Sequence, residues 1–325
     1  MKQIKKILCV LEPFQNSEAA LIQTLRLAED QQADVTFASV FTPPKNLRKF
    51  FNKKAEIDQL VSDEVEKKRN SVQKWVKQHT QKGNSSIQIF SGIGFIEIIK
   101  YVVEQNYDLV VKCSNDVDWL DRLFGSDDMH LLRKCPCPVL MLKPNQTKEF
   151  QHVLATVDVN EDFDEEDNRV QSKLNEKVLE YSAVFSLSDL TTLHVGSAFE
   201  FYGENFLRHS AFSSMPDEKV DRYVIETRRE CEGKLESLMR KMRSFVGEEA
   251  VNHLRPKVHL VKGQPSKEIP MMVNENNIDL IVMGTVARTG VPGFIIGNTA
   301  ESILEQVQCS VLAVKPDGFV SPITD

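Results

Sequence analysis

The sequence predicts an α/β protein of two tandem doubly wound domains, each built on a five-stranded parallel sheet of the Rossmann-like kind. Three observations support this fold class: a length of 325 residues, an internal duplication, and the alternation of short apolar segments with longer helical ones. A chain of this length is long for one domain and suits two. Segments rich in Val, Ile and Leu on both faces are typical of parallel strands that helices cover on both sides.

The duplication is visible as matched segments in the two halves of the chain. The segment YDLVVKC at 107–113 matches IDLIVMG at 278–284, and CPVLMLKP at 137–144 matches CSVLAVKP at 309–316. The matched segments follow the same order in both halves, which indicates a pair of domains rather than a solenoid. The predicted boundaries are a first domain at 1–146, a second domain at 150–317 and a C-terminal tail at 318–325.

Each half contains strands that alternate with helices. In the first half we predict strands near 4–11, 34–41, 86–91, 108–113 and 137–143, and helices near 16–31, 53–82, 95–106 and 127–134. Helical segments of this length supply the crossovers that parallel strands require. In sheets of this kind, ligands bind beyond the carboxyl ends of the strands.

The composition disfavours two classes of function. The formal net charge of −7 disfavours a general nucleic-acid binder, which needs a basic surface. No apolar run reaches the ~18 residues that span a bilayer, and Glu12 and Pro13 interrupt the apolar run near the start. We therefore expect a cytoplasmic protein that binds neither membranes nor nucleic acids directly.

The six cysteines are scattered, and most lie in or beside apolar strand-like segments. We expect them to be buried as small apolar residues. Cys135 and Cys137 lie near His130, Asp127 and Asp128, a set that is compatible with a metal. No second cysteine pair stands at ligand spacing, so we expect no metal site.

The glycine-rich segment GTVARTGVPGFIIGNTAE is the strongest candidate for a binding loop. Gly284 ends a predicted strand, and Gly297 precedes a predicted helix that Asn298 or Thr299 would cap. Backbone N–H groups at a helix N-terminus bind phosphate, and glycine lets the backbone approach it. Arg288 adds a positive charge. From the residues alone, a phosphate-binding loop and a purely structural loop remain equally open.

The second half has two insertions that the first half lacks. One is the acidic segment NEDFDEEDN at 160–168, and the other is the segment at 196–217, which is rich in aromatic and small residues. The second insertion leaves the carboxyl end of a predicted strand, where ligands bind in such sheets. A lid, a partner surface and a loop packed on its own domain remain open as its role.

These residues resemble one known family. The duplicated five-strand unit, the glycine-rich segment after the fourth strand and the terminal VLAVKP strand are similar to the universal stress protein family. The phrases GTVARTG and GNTAE, together with HLLRKCPCPVLMLKP, resemble its tandem two-domain type. The resemblance covers nearly the whole chain. It implies the predicted fold, with the two domains paired as an intramolecular pseudo-dimer.

The resemblance also implies an ATP site in the second domain only. The nucleotide motif of the family, G-x2-G-x9-G-[ST], falls on Gly284, Ala287, Gly297 and Asn298, so two of its four defining positions depart. Asp158 matches the acidic residue that contacts the base or ribose region. The implied nucleotide-binding residues are Asp158, Met283, Gly284, Thr285, Val286, Ala287, Arg288, Gly290, Gly297, Asn298, Thr299 and Ala300. No metal is expected beyond Mg²⁺ carried by the nucleotide.

The first domain departs further from the motif. Its corresponding loop at 113–130 keeps only Gly125 and Ser126. Glu12 matches the acid that follows the first strand, but several carboxylates in the loop would repel a triphosphate. These are Asp116, Asp118, Asp121, Asp127 and Asp128. We therefore expect no nucleotide in the first domain.

The resemblance implies a cytoplasmic stress-response protein without catalytic residues, which helps cells to survive stress such as DNA damage or starvation. A slow ATPase is the second hypothesis, although no base or metal cluster supports turnover. A third is the binding of another anionic or amphipathic metabolite under the 196–217 insertion. The family pairs domains through their last strands, here 137–143 with 309–315. A further homodimer and a protein partner remain open.

Overall fold

The computed structural model describes residues 3–12, 16–44, 51, 53–80, 86–114, 127–160, 165–187, 191–209, 215–285 and 296–323. These residues form two compact units. Residues 3–149 and 310–323 make up the first unit, and residues 150–285 and 296–309 make up the second unit. Each unit is a predominantly parallel sheet with helices, which confirms the predicted α/β fold class.

The first unit follows the strand and helix order that the sequence predicts. Its elements are β1 (Lys6–Val10), α1 (Glu18–Gln31), β2 (Asp34–Phe41), α2 (Lys54–His79), β3 (Ser86–Ser91), α3 (Gly94–Gln105), β4 (Leu109–Cys113), α4 (Asp127–Lys134) and β5 (Val139–Leu142). The parallel strands lie in the order β3-β2-β1-β4-β5. The order reverses beside β1, which is where doubly wound sheets open a crevice.

The last strand of the chain also belongs to the first unit. Strand β10 (Ser310–Val314) pairs antiparallel with β5. The Ser310 hydroxyl accepts a hydrogen bond from the Lys143 N–H at 3.1 Å. Just beyond the strand, the Lys315 ammonium donates to the Leu132 carbonyl at 2.7 Å. Burial lowers the pKa of Lys315 to about 7.

The second unit repeats the arrangement of the first four strands of the first unit, with additional helices. Its elements are β6 (His152–Thr156), α5 (Glu165–Val184), β7 (Thr192–Phe199), α6 (Glu204–His209), α7 (Asp217–Val246), α8 (Glu248–Leu254), β8 (Lys257–Lys262), α9 (Pro265–Glu275), β9 (Leu280–Gly284) and α10 (Asn298–Leu304). The strands are parallel and lie in the order β9-β6-β7-β8. Strand β6 is therefore flanked by β9 and β7, as β1 is flanked by β4 and β2.

The apolar strands form the core of each unit. Strands β4, β5 and β10 are buried at every residue, as expected for strands covered on both faces. All six cysteines are buried thiols. In the described part of the chain, no helix has the length and apolar character to cross a membrane.

The boundaries of both insertions in the second unit differ from expectation. Gly196–Phe199 is part of strand β7 rather than of a loop, and helix α5 already begins at Glu165. Glycine in a sequence usually indicates a loop, but Gly196 lies inside a strand, where its lack of a side chain leaves space for Met272. A Cβ at this position would lie 2.5 Å from the Met272 sulfur, so a side chain here would force Met272 on helix α9 to shift.

A group of histidines lies on neighbouring strands of the second unit. His194 on β7 is 2 % exposed, and its Nδ1 shares a hydrogen bond of 3.0 Å with Nε2 of His259 on β8. The two rings are stacked, and the ring of His152 lies 5.6 Å from that of His194. Burial, followed by the positive charge that His259 would carry, lowers the pKa of His194 to about 4.

We predict that this group makes the protein less stable in mild acid. The folded pKa of His194 lies near 4, below the unfolded value of about 6.5. The unfolded chain therefore binds more protons between these values, and the free energy of unfolding falls as the pH falls through that window. Urea unfolding of His194→Leu should show a shallower decline than wild type between pH 6.5 and pH 4.

The exposed His209 supplies the matched control. His209→Leu should keep the full wild-type decline, because it leaves the buried group of His152, His194 and His259 intact. Equal slopes for wild type and His194→Leu would contradict the prediction.

Candidate functional site

The second unit has a cavity of about 610 Å³ at the carboxyl ends of its central strands. This volume falls within the range of roughly 300–1,000 Å³ that is usual for small-molecule sites. The cavity lies between the ends of β6, β7 and β9 and the first turns of α9 and α10. Its lining includes the carboxylates Asp158 and Glu200 and the amides Asn160, Gln171, Asn175, Gln264 and Asn298.

Asp158 is held in place by neighbouring amides. Its backbone N–H donates to Asn175 Oδ1 at 3.1 Å, and its carbonyl accepts from Asn175 Nδ2 at 2.7 Å. Its carboxylate oxygen Oδ1 accepts from both the backbone N–H and Nδ2 of Asn160, each at 3.0 Å. Asn160 Nδ2 also donates to the Ala198 carbonyl at 2.9 Å. A single amide nitrogen thus bridges the acid after β6 and the backbone of β7.

The opposite end of the cavity is formed by Gly284, which ends β9, and by the start of α10. A Cβ on Gly284 would lie 2.5 Å from Leu174 Cδ2, so a side chain here would force Leu174 on α5 to shift. The expectation that Asn298 or Thr299 caps the helix is wrong. Gly297 is the N-cap, and its carbonyl accepts from the Glu301 N–H at 2.9 Å. Because the helix begins one residue earlier than expected, both polar side chains lie in its first turn and are exposed.

The structure brings together most of the predicted nucleotide-binding residues that it describes. Those that line the cavity are Asp158, Met283, Gly284, Gly297, Asn298, Thr299 and Ala300. Thr285 is fully buried beside them and does not line the cavity. Val286, Ala287, Arg288 and Gly290 lie outside the described residues.

Sequence reasoning missed four of the five amide residues of the cavity; only Asn298 was predicted. Asn160 and Gln264 each follow a strand closely, which is a recognisable signal in a parallel sheet. Gln171 and Asn175 lie on helix α5, one turn apart, and Gln171 donates to Asn175 at 3.0 Å. Their spacing matches an ordinary polar helix face, so the sequence carries no separate signal for them.

An ion-pair group fixes the described part of the aromatic insertion. Arg208 on α6 pairs with Glu204 at 3.1 Å and with Asp217 and Asp221 at the start of α7. Glu204 also pairs with Lys262 at 2.7 Å, and this hydrogen bond lowers the pKa of Glu204. The anchoring places the 72 % exposed ring of Tyr202 at the edge of the cavity.

The corresponding place in the first unit holds a cavity of about 150 Å³. Glu12 lies at one end of it. Glu12 Oε1 accepts hydrogen bonds from the Ser39 hydroxyl, from the Val40 N–H at 3.0 Å and from Lys68 Nζ at 2.7 Å. Lys68 Nζ also donates to the Val40 carbonyl. Lys68 comes from helix α2, so an internal cation occupies this end of the crevice.

A second internal ion pair occupies the other end of the smaller cavity. Lys112 Nζ on β4 lies 2.8 Å from Asp128 Oδ1 in the first turn of α4, and both side chains are almost fully buried. The ammonium also donates to the Cys113 carbonyl at 3.1 Å. We expected Asp128 to act with its neighbouring carboxylates as a repulsive charge, but the structure pairs it with Lys112. Asp116, Asp118 and Asp121 lie outside the described residues.

The cysteine pair of the first unit is a buried thiol contact. Cys135 and Cys137 lie with their sulfurs 3.6 Å apart. The hydrogen bond to Cys135, together with burial, raises the pKa of the Cys137 thiol well above its usual range. The nearby His130 ring stacks on Phe95 at 4.5 Å. Among the described residues, no group of three or more His, Cys, Asp or Glu is placed to hold a metal.

Comparison with known proteins identifies the family. The model of the universal stress protein family matches residues 3–143 and again residues 170–315. The chain belongs to the universal stress protein family. The two matches make it a tandem-type member, in agreement with the two units of the structure.

This universal stress protein is similar to relatives that match most of its length. It is 28% identical to the universal stress protein E homolog of Haemophilus influenzae, over 97% of this chain and 98% of that protein. It is 30% identical to universal stress protein E of Photorhabdus laumondii, over 70% of this chain and 67% of that protein. A functionally unknown protein from Pseudomonas aeruginosa has the same fold, at a TM-score of 0.63, 23% identity and coverage of 97% and 94%.

We predict that Lys112 contributes strongly to the stability of the fold, because it neutralises the buried carboxylate of Asp128. Lys112→Met introduces the residue that the second unit has at the same register position, Met283. It leaves an unpaired buried carboxylate, so it should lower the free energy of unfolding by about 3–5 kcal/mol. The double variant Lys112→Met/Asp128→Ala, which copies Met283 and Ala300, should recover most of that loss in urea unfolding.

The exposed pair Arg228–Glu232 provides the control. Arg228→Met should cost less than about 1 kcal/mol, as exposed pairs do. A double variant that is no more stable than Lys112→Met would show that the ion pair does not explain the loss.

Proposed function

We propose that this tandem universal stress protein is a non-catalytic, cytoplasmic stress-response protein that binds an adenine nucleotide, ATP, in its second unit only. The cellular role that we propose is survival of stress such as DNA damage or starvation. The observation that carries the nucleotide proposal is the difference between the two crevices. The second unit keeps an open cavity of about 610 Å³, whereas two internal ion pairs flank the first unit's cavity of about 150 Å³.

The end of the cavity at Asp158 suits the base and ribose of a nucleotide. The Asp158 and Glu200 carboxylates accept hydrogen bonds from hydroxyl and amino groups. The amides of Asn160, Gln171 and Gln264 both donate and accept. Polar groups of this kind, placed around a half-apolar cavity, orient a ligand with many hydrogen-bonding atoms.

The end of the cavity at Gly284 and Gly297 suits phosphate. Gly297 precedes α10, so the free N–H groups of the first turn face this end of the cavity. The positive end of the helix dipole favours an anion there. Ser266 and Thr299 add hydroxyl donors to the lining. The predicted contribution of Arg288 remains part of the proposal.

Nucleotide retained through purification provides the direct experiment. The protein is purified without added nucleotide and precipitated with acid, and the released compounds are identified by chromatography. Release of ATP, or a rise in melting temperature with added ATP, would support the proposal. Failure to release any nucleotide, with no rise in melting temperature at millimolar ATP, would overturn it.

We predict that a negative charge at Gly297 blocks ATP binding. Gly297 has φ −62° and ψ 140°, a conformation that any residue adopts and that suits an N-cap. In Gly297→Asp the new carboxylate would lie beside the phosphates of ATP. Repulsion of ~1.4 kcal/mol or more would lower the ATP affinity at least about tenfold. Calorimetric titration measures this affinity.

Gly297→Asn is the matched control because it has the same shape without the charge. It should bind ATP at least about tenfold more tightly than Gly297→Asp. Equal ATP affinities for the two variants would mean that phosphate does not approach α10.

A further inference from the structure

We propose that the first unit contains a binding site for a primary ammonium group, which the chain fills with its own Lys68. The site consists of the Glu12 carboxylate and the Val40 carbonyl. Lys68 Nζ lies 2.7 Å from Glu12 Oε1 and also donates to the Val40 carbonyl. The chemical class of ligand that fits these acceptors is a primary alkylammonium ion, and Lys68 is its intramolecular example.

The two acceptors are fixed without help from Lys68. The Val40 N–H donates to Glu12 Oε1 at 3.0 Å, and the Ser39 hydroxyl donates to the same oxygen. The Val40 carbonyl belongs to strand β2, whose register with β1 is set by backbone pairing. The site is therefore a preorganised anionic pocket, and an ammonium group supplies the charge and the donors that it lacks.

The second unit has the same pair of acceptors with a different donor. Val10 pairs with Ala38 in the first unit, and Thr156 pairs with Gly196 in the second. Two residues further along each strand, Glu12 therefore corresponds to Asp158 and Val40 to Ala198.

In the second unit, Asn160 Nδ2 bridges these acceptors, at 3.0 Å from Asp158 Oδ1 and 2.9 Å from the Ala198 carbonyl. The donor is thus a neutral amide, whereas in the first unit it is an ammonium. In both units a side-chain nitrogen donates to these two acceptors, and in the first unit that nitrogen carries a positive charge.

The origin of each donor explains why an ammonium from solution is a suitable replacement. Asn160 is only two residues from Asp158, so its amide is held by the same loop. Lys68 reaches Glu12 across 56 residues of sequence, from helix α2, through a long aliphatic stem. The Lys68 and Glu12 side chains are 28% and 26% exposed, so the pair is in contact with solvent. Removal of the stem beyond Cβ would leave space for a separate alkylammonium ion.

Chemical rescue tests the site. In Lys68→Ala the lost atoms correspond to propylammonium. We expect the melting temperature to fall by about 2–4 °C relative to wild type, and propylammonium chloride to restore it with a saturating dependence on concentration. Tetramethylammonium chloride at the same ionic strength should restore nothing, because it has no N–H donor. Failure of propylammonium to restore the melting temperature, or equal restoration by tetramethylammonium, would overturn the proposal.

Two matched variants control the experiment. Lys67 is next to Lys68 on α2 and pairs with Glu64 at 2.6 Å on the exposed face. Lys67→Ala should lose less stability and should gain none from propylammonium. Lys68→Met keeps an apolar stem in the slot, so it should be destabilised without rescue. Rescue of either control variant would overturn the proposal, as would equal losses for Lys67→Ala and Lys68→Ala.

The wild-type protein provides a measurement that does not depend on a folded variant. Hydrogen-bonded ammonium protons exchange slowly with water, so the Lys68 NH₃⁺ group should give a nitrogen–proton signal in NMR that persists at temperatures where the Lys67 signal is lost. Exchange of the Lys68 protons as fast as those of Lys67 would overturn the proposal. This result would leave nucleotide binding by the second unit unaffected.

Discussion

The register of the first strand of each unit determines which side chains meet at the carboxyl ends of the strands, where both cavities lie. Backbone pairing places β1 between β2 and β4, and β6 between β7 and β9. The acid that follows the first strand, Glu12 or Asp158, therefore always meets the end of the second strand. The same pairing fixes which residue of β4 or β9 faces the crevice, because a slip of one residue would reverse every side chain.

Within this shared frame, the two units differ in the charges that they bring to the crevice. The first unit places Lys112 where the second has Met283, and Asp128 where the second has Ala300. In the first unit, the carboxylate of Asp128 supplies a negative charge at the N-terminus of α4. In the second unit, the cavity beside the N-terminus of α10 has space for an anionic ligand. The duplication thus preserved the backbone, while side-chain changes filled one crevice and left the other open.

The sequence was sufficient for most of the fold, because strands buried on both faces leave a direct signal in composition. The predicted strands at 34–41 and 86–91 coincide with the observed ones. Contacts between distant side chains were not predictable, because nothing in the sequence distinguishes Lys68 from the other charged residues of the predicted helix at 53–82. Gly196 was interpreted as a loop residue because its close contact with Met272 exists only in the folded chain. The N-cap at Gly297 was missed because cap preference favours Asn and Thr.

The central claim is that the second unit binds ATP and the first unit does not. The number of ATP molecules bound by one chain at saturation tests this claim most directly. Native mass spectrometry of the full chain counts them without assumptions about affinity. An open second crevice and a self-filled first crevice predict one ATP per chain. Two ATP molecules per chain would contradict the closure of the first unit, and none would contradict the proposed site in the second.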